Sequence, residues 1–195
     1  MVLMMRVFGL LGIRGGMSRL MITSDLHLGH KNIVKFRDGF SSEDHHHEVM
    51  FENLASSIQK RDSLILLGDI AFNKFWLEQI KSIKCVKKTL ICGNHDTENG
   101  IKMRDLVEVY DDIHSLFSKR NVWFSHCPIH SSQFRGKAHN IHGHLHDNKV
   151  QKIGIVEGKV HPSEIEAYTD DNRYLNACVE HTNYKPISFA DLIKK

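Results

Sequence analysis

Five short apolar segments, each followed by residues that bind metal ions in proteins, constrain the fold of this chain more than any other feature. The segments are 20–23, 64–68, 89–92, 122–125 and 141–143. Short apolar runs bounded by turn residues predict buried β-strands. In open α/β sheets the residues beyond the carboxyl ends of the strands line one shared crevice. The sequence therefore predicts an α/β fold with a single site at the strand ends.

The residues that follow these segments are carboxylates, imidazoles and one amide. In chain order they are Asp25, His27, Asp69, Asn94, His126, His144 and His146. This set is larger than one closed tetrahedral metal site uses. It suits two divalent ions that share a carboxylate. Oxygen and imidazole ligands without a thiolate favour manganese, with iron or zinc as alternatives, over calcium.

A centre of this kind would attract phosphate. Two carboxylates leave two dications with a net positive charge, which an anionic phosphoryl oxygen can neutralise. Ions about 3.5 to 4 Å apart would polarise the phosphoryl oxygens and lower the pKa of a bridging water until it is a hydroxide nucleophile. The pattern therefore predicts hydrolysis of a phosphoester at a dinuclear metal centre.

The motifs differ in how specific they are. Gly-Asn-His-Asp at 93–96 is the strongest, because no helix face or turn needs an amide, an imidazole and a carboxylate in succession. The pair His144 and His146 is moderately specific, since alternate residues of an extended chain point the same way. The Asp-x-His and Gly-Asp motifs are weak when taken alone. Their joint occurrence after successive strands favours one site over separate structural features.

Four further residues near these motifs have expected structural roles. Gly93 and Gly143 are expected where the chain passes so close to the ions that a side chain would not fit. His139 and His142 are expected to be ordinary structural histidines rather than ligands.

Composition favours a single domain. A length of 195 residues fits one domain, expected at 19–195, with 1–18 as a loosely ordered N-terminal extension. The net charge of +3 and the scattered basic residues argue against a dedicated nucleic-acid surface. No apolar stretch approaches the roughly 18 to 20 residues that a membrane span needs. Four cysteines without a Cys-x-x-Cys pair predict reduced, mostly buried thiols in a cytoplasmic protein.

Capping residues and periodicity predict the remaining elements. Helices are expected at 33–37, 44–59, 72–83 and 189–195, a hairpin from 113–117 and 122–125, and strands at 152–156 and 174–180. The helix at 44–59, capped by Ser42 or Asp44, has a core stripe of Val49, Phe51, Leu54, Ala55 and Ile58. The triplet of histidines at 45–47 lies in its first turn. We expect a solvated helix start there rather than a metal or substrate site, because neighbouring helical residues point in different directions.

Taken together, the motifs resemble those of the calcineurin-like metallophosphoesterase family. The family pattern of Asp-x-His, Gly-Asp, Gly-Asn-His-Asp/Glu, a later His and Gly-His-x-His is complete between residues 25 and 146. The resemblance implies a double β-sheet sandwich flanked by helices, in four layers (αββα). It implies one ion held by Asp25, His27 and His146, and another held by Asn94, His126 and His144.

The resemblance also implies roles for three residues between these ligand groups. Asp69 would bridge the two ions. His95 would face the substrate, stabilise the phosphoryl oxygens and protonate the leaving oxygen. Asp96 would orient the His95 ring.

A finer resemblance is to small stand-alone members of the family from bacteria and their phages. Segments 29–33, 125–128 and 184–188 are similar to these members. In this comparison His30 and Asn32 are candidate substrate contacts, with plain loop structure as the alternative. The Asp-Arg-Gly sequence that marks Ser/Thr protein phosphatases is missing after Asp69, which disfavours that branch.

The favoured function is therefore hydrolysis of phosphodiesters of nucleotide type. The expected partner is a small phosphoester, such as a nucleotide or an exposed nucleic-acid end, with no membrane and no dedicated protein partner. One alternative is a phosphomonoesterase on the same site, which His95 permits because a poor alkoxide leaving group benefits from a general acid. The other is a non-catalytic, protein-binding scaffold with this fold.

Overall fold

The computed structural model describes residues 17–154 and 167–194. The expected N-terminal extension lies outside the described residues, except for its last two positions. The strands are β1 (Leu20–Thr23), β2 (Ser63–Leu66), β3 (Lys87–Ile91), β4 (Asp112–His114), β5 (Leu116–Lys119), β6 (Val122–Ser125), β7 (His139–His142), β8 (Gln151–Gly154), β9 (Ala167–Asp170), β10 (Tyr174–Asn176) and β11 (Ile187–Ser188). The α-helices are α1 (Glu43–Ser57), α2 (Lys74–Ser82), α3 (Met103–Leu106) and α4 (Phe189–Leu192), and short 3-10 helices cover Ile33–Lys35, Ser131–Gln133 and Val179–Thr182.

The described strands form two larger sheets and a separate hairpin. The first sheet has the order β11-β1-β2-β3-β4 and the second the order β10-β7-β6-β5, while β8 pairs with β9. Strands β1 to β4 are parallel to one another, as are β6, β7 and β10. The carboxyl ends of the parallel strands are the positions from which the predicted ligand residues follow.

The first sheet is buried on both faces, which explains why its strands are continuously apolar. Leu64 and Leu66 of β2 pack in one core cluster with residues of α1 and α2, such as Leu54 and Ile80. Ile65, between them in sequence, packs in a second cluster with residues of the other sheet. Alternate strand residues point to opposite faces, so β2 joins a helix layer to a second sheet. This confirms the predicted α/β fold of packed sheets flanked by helices.

The caps of the two longer helices decide where each begins. The Ser42 side chain accepts a hydrogen bond from the backbone N–H of His45, so α1 begins one residue before the predicted position. The Asn73 side chain accepts from the N–H of Trp76, so α2 begins after Phe72 rather than at it. Capping side chains satisfy N–H groups that the first helical turn leaves free.

The histidine triplet corrects the expectation of a solvated helix start. His45 is exposed, but His46 is fully buried and His47 is 5% exposed. His46 lies 3.0 Å from the Arg37 guanidinium, and the N–H of Gly29 points at the His47 ring. The helix turns these two imidazoles toward the loop after β1, which periodicity alone does not reveal.

Three other expectations change in the structure. The predicted strand at 113–117 divides, because β4 joins the first sheet while β5 pairs with β6 in the second. The strand expected at 174–180 ends at Asn176 and gives way to the 3-10 helix Val179–Thr182. β9 was not predicted at all, and the end of the strand expected at 152–156 lies outside the described residues.

The cysteines and the helices bear on two further expectations. All four cysteines are free, as predicted, but only Cys178 is fully buried and Cys127 is exposed. In the described ranges no helix has the length and apolar character needed to cross a membrane. The assignment of 19–195 to one domain stays a prediction.

Candidate metal centre

The structure brings all the predicted ligand residues to one edge of the sheets. Ligand atoms of Asp25, His27 and His146 lie within 4.8 Å of one another, and so do those of Asp25, Asp69 and His126. In addition, Nε2 of His126 lies 2.9 Å from the Asn94 side-chain oxygen and 3.2 Å from Nδ1 of His144. The ligand groups are therefore contiguous, with Asp69 between them.

The backbone at the site adopts conformations that side chains normally avoid. Positive φ angles occur at Asp25, His27, Asp69, His144 and His146, with values between 49° and 69°. Left-handed backbone at non-glycine residues costs free energy and clusters at functional sites. Each of these turns bends the chain sharply after a strand, and so directs ligand side chains into the crevice.

Two glycines allow the close approach that the sequence predicts. A Cβ atom on Gly93 would collide with the Asp69 carboxylate, and one on Gly143 would collide with Ser24 and Asp25. These three residues lie in the ligand loops that follow other strands. Side chains would not fit at Gly93 and Gly143, as expected, but the atoms that they would meet belong to the ligand loops, and the close approach to the ions stays a prediction.

The first ligand group has the properties of a cation site. Asp25 is fully buried, and its Oδ2 accepts hydrogen bonds from Ser24 and from the N–H of His144. Within the described residues, Asp25 Oδ1 and both ring nitrogens of His27 have no hydrogen-bond partner. Buried polar atoms without partners are costly. A divalent cation fits these atoms, because it would coordinate the carboxylate and the imidazole together.

The ionisation of Asp25 agrees with such a site. Burial alone would raise its pKa, but the imidazole of His27, whose Nε2 lies 3.7 Å from Asp25 Oδ1, and the nearby imidazole of His126 lower it below the usual range. The carboxylate is therefore charged at neutral pH and able to bind a cation.

His146 is held by two residues that sequence reasoning missed. Its Nδ1 lies 2.9 Å from the Glu180 carboxylate, which in turn lies 2.7 Å from the Arg37 guanidinium. Arg37 also donates hydrogen bonds to the backbone oxygens of Asp25 and Leu26. One buried guanidinium thus joins the loop after β1 to the support of His146. No local motif marks either residue, since Glu180 is 34 positions beyond the histidine.

The second ligand group is oriented by a backbone contact. The Nδ1–H group of His126 donates to the Leu67 carbonyl oxygen at 2.7 Å, which leaves Nε2 toward Asn94 and His144. Asp69 Oδ2 lies 3.5 Å from the same Nε2. Fixing one ring nitrogen in this way selects the tautomer that a metal needs.

Cys127 is an additional ligand-type residue that sequence reasoning did not select. Its sulfur lies in one group with ligand atoms of His126 and His144. Burial and the charge of Asp69 raise the pKa of the thiol. Because the thiolate is the form that binds metals, Cys127 would have to lose its proton to act as a ligand.

The expectation that Asp96 orients His95 needs correction. Asp96 is buried, and its carboxylate accepts hydrogen bonds from the N–H groups of Asp69, Ile70 and Gly93. The His95 ring instead pairs through Nδ1 with Glu98, at 2.8 Å. Asp96 therefore ties the Gly93 turn to the Asp69 turn, and Glu98 holds the imidazole. Burial raises the pKa of Asp96 despite these hydrogen bonds.

The two candidate substrate contacts differ in position. The His30 ring lies 5.8 Å from the ring of His27 and 5.1 Å from that of Phe72, so it borders the site. Asn32 is exposed, and its backbone N–H donates to His30 Nδ1. Among the contacts of the described residues, none links the Asn32 side chain to the ligand groups.

The chain is similar to several known proteins. An uncharacterized protein of Methanocaldococcus jannaschii is 26% identical over 183 residues, which are 92% of this chain and 91% of that protein. The gene 66 protein of Mycobacterium phage L5 is 33% identical over 85 residues, which are 41% of each chain. The crystal structure of a protein of unknown function from Aquifex aeolicus has a TM-score of 0.63 at 25% identity, covering 91% of this chain and 99% of that one.

A family model gives the identity of the domain. The model for calcineurin-like phosphoesterases matches residues 18–187, a range that includes both ligand groups, His95 and Glu180. The chain therefore belongs to the calcineurin-like phosphoesterase family, whose activity is the metal-dependent hydrolysis of phosphoesters.

Proposed function

We propose that this protein hydrolyses phosphodiesters of nucleotide type and uses two divalent transition-metal ions, with manganese favoured. The observation that supports this most is the position of Asp69 between two groups of ligand atoms. Asp25, His27 and His146 would hold one ion, Asn94, His126 and His144 the other, and Asp69 both. When bound, such ions polarise phosphoryl oxygens and supply the nucleophile from water.

The chain's own residues supply the rigid frame of the reaction. His126 donates a hydrogen bond to the Leu67 carbonyl oxygen and His146 donates one to the Glu180 carboxylate, and these contacts fix both imidazoles before a substrate arrives. The Asp96 carboxylate accepts hydrogen bonds from the N–H groups of Asp69 and Gly93, and so holds the turns at these two residues in a fixed relative position. Such preorganisation lowers the barrier because little has to be rearranged during the reaction.

His95 is suited to donate a proton to the leaving oxygen. Its side chain is 37% exposed, and its Nδ1 is engaged by Glu98, which leaves Nε2 for a substrate. Burial alone would lower the pKa of His95, but the hydrogen bond with Glu98 and the charge of Asp69 raise it. This shift makes the imidazole easier to protonate, as a general acid requires.

The free cysteines support a cytoplasmic location for this reaction. Cys127 is exposed and unpaired, a state that a reducing compartment maintains.

A side-by-side assay tests the proposal. Stripped protein is loaded with manganese and given bis(p-nitrophenyl) phosphate and p-nitrophenyl phosphate at equal concentration. We expect faster turnover of the diester, and none in either reaction before the metal is added. Faster turnover of the monoester would favour a phosphomonoesterase. Metal binding without turnover of either ester would favour a binding scaffold.

A further inference from the structure

A cavity adjoins the first ligand group. It has a volume of about 270 Å³ and is lined by His27 and His146 together with His30, Phe36, Glu180 and Asp147. This volume lies just below the range of about 300 to 1,000 Å³ that holds drug-sized ligands. The cavity therefore fits one ring system beside the metal ligands rather than a long chain.

Phe36 is the unusual member of this lining. Its side chain is 74% exposed, although it lies next to the buried Arg37. The Phe36 N–H donates to the Ile33 carbonyl oxygen. The next residue, Arg37, is anchored by hydrogen bonds from its side chain to Glu180 and to the Asp25 backbone oxygen. The ring is thus held by a rigid backbone, with its surface left open.

Aromatic rings connect Phe36 to the centre of the site. The Phe36 ring lies 6.3 Å from that of His30, His30 lies 5.1 Å from Phe72, and Phe72 lies 5.3 Å from His95. These rings border one side of the crevice from His95 to the cavity. A phosphoester over the ligand groups would have one substituent within reach of Phe36.

We propose that the Phe36 cavity is a subsite for the nucleobase of a nucleotide substrate, with the base stacked on the Phe36 ring while its phosphate lies over His27 and His146. This inference rests on the proposed function, since it names the substrate group that the same site accepts. Every base has a π-face, and stacking on an exposed aromatic side chain is a common way to bind a base whatever its identity.

The surroundings of Phe36 favour a base over an aliphatic group. His30 and the exposed carboxylate of Asp147 give the cavity polar rims that can meet the polar edge of a base. Lys31 and Lys35 are exposed on the same short segment, so the loop that carries Phe36 also carries positive charge. Among the described residues that line the cavity, Ile33 and Phe36 have wholly apolar side chains, and the other six carry a polar or charged group.

Calorimetric binding of two ligands tests this assignment. Adenosine 5′-monophosphate and methyl phosphate are titrated separately into manganese-loaded protein. Both ligands present a phosphate, and only the first has a base. We expect the nucleotide to bind more tightly. Phe36→Ala should weaken nucleotide binding by about 5- to 100-fold, the range for losing one stacked base, and leave methyl phosphate unchanged. Phe36→Tyr should restore the nucleotide affinity.

Phe75→Ala is the matched control, because Phe75 is 63% exposed and lines a different groove, between α1 and α2. It should leave both affinities unchanged. Equal binding of the two ligands by the unaltered protein, or an equal loss for both in Phe36→Ala, would overturn the subsite. If nucleotide binding depends on Phe36 while no diester is hydrolysed, the subsite stands and the proposed function fails.

Discussion

Nδ1 of His146 lies 2.9 Å from Oε1 of Glu180, and the same carboxylate is paired with the buried guanidinium of Arg37. The contact makes Nδ1 the protonated nitrogen and leaves Nε2 for a cation. Arg37 also donates hydrogen bonds to the backbone oxygens of Asp25 and Leu26, so it connects Glu180, the partner of His146, to the loop after β1. The first ligand group is therefore held in place before any ion binds.

Weaker binding of one ion is expected in Glu180→Gln. The amide keeps the size of the side chain but loses the charge that makes His146 a stronger ligand. Outer-shell changes of this kind typically reduce metal affinity by about 10- to 100-fold. Titration calorimetry with manganese measures the effect in stripped protein. Glu98→Gln, which alters only the partner of His95, is the control and should bind metal normally. Equal affinities in both variants would show that Glu180 does not support a ligand.

Two metal ions per chain are expected in the unaltered protein, because Asp69 lies in one cluster with Asp25 of the first ligand group and His126 of the second. Elemental analysis after mild purification, followed by titration into stripped protein, should reach two equivalents. Saturation at one equivalent would remove the dinuclear mechanism.

Asp69→Asn should lose activity and at least one ion together. Asp69 lies close to both Asp25 and His126, so an amide there weakens the attraction for both cations. Metal content and diester turnover are measured on the same preparation. A variant that kept two ions and normal turnover would contradict the bridging role.

His95→Asn should keep both ions while turnover falls by about 10²- to 10⁴-fold, the usual contribution of a general acid. The loss should be smaller for a nitrophenyl ester, which leaves as a stable anion, than for an alkyl or ribose ester. Rates for both leaving groups in both proteins give the comparison. An equal loss for the two esters would indicate electrostatic stabilisation instead, and a loss of metal would make His95 a ligand.

Asp62→Asn should destabilise the metal-free protein in a pH-dependent way. Asp62 is fully buried and accepts hydrogen bonds from Arg19 and from the N–H of Gln59. Burial alone would raise its pKa, but these contacts lower it below the usual value. The stabilisation is therefore complete above the unfolded-state pKa of about 3.9 and is lost as the pH falls through the lower folded-state value.

Urea unfolding measures this difference. Asp62→Asn should lower the free energy of unfolding by about 1 to 3 kcal/mol at neutral pH. The difference in this free energy between the variant and the unaltered protein should become smaller as the pH falls below the unfolded-state pKa. Asp170→Asn is the control, since the side chain of Asp170 is 45% exposed beside Lys149, and it should change stability little at any pH. If the difference in free energy of unfolding did not change with pH, the Asp62 charge would not stabilise the fold.

Local sequence patterns predict the five apolar strands and the candidate ligands that follow them. An apolar run such as 64–67 can only be a buried element, and Asp69 directly after it must lie at the end of that element. Parallel strands bring such residues to one edge, so the convergence of Asp25, Asn94 and His144 followed from local patterns. Gly93 and Gly143 were predictable for the same reason, because tight approach at a strand end needs a residue without a side chain.

The residues that support these ligands are identified by long-range packing, which local patterns do not show. His46 is buried because α1 packs its first turn against Arg37, and Glu180 meets His146 because the chain returns to the crevice after β10. The division of β4 and β5 between two sheets likewise depends on packing. So does the role of Asp96, because its carboxylate accepts hydrogen bonds from the distant N–H groups of Asp69 and Ile70 and is not available to His95. Contacts between distant segments leave no periodic signal in the sequence, since their geometry exists only once the sheets and helices have assembled.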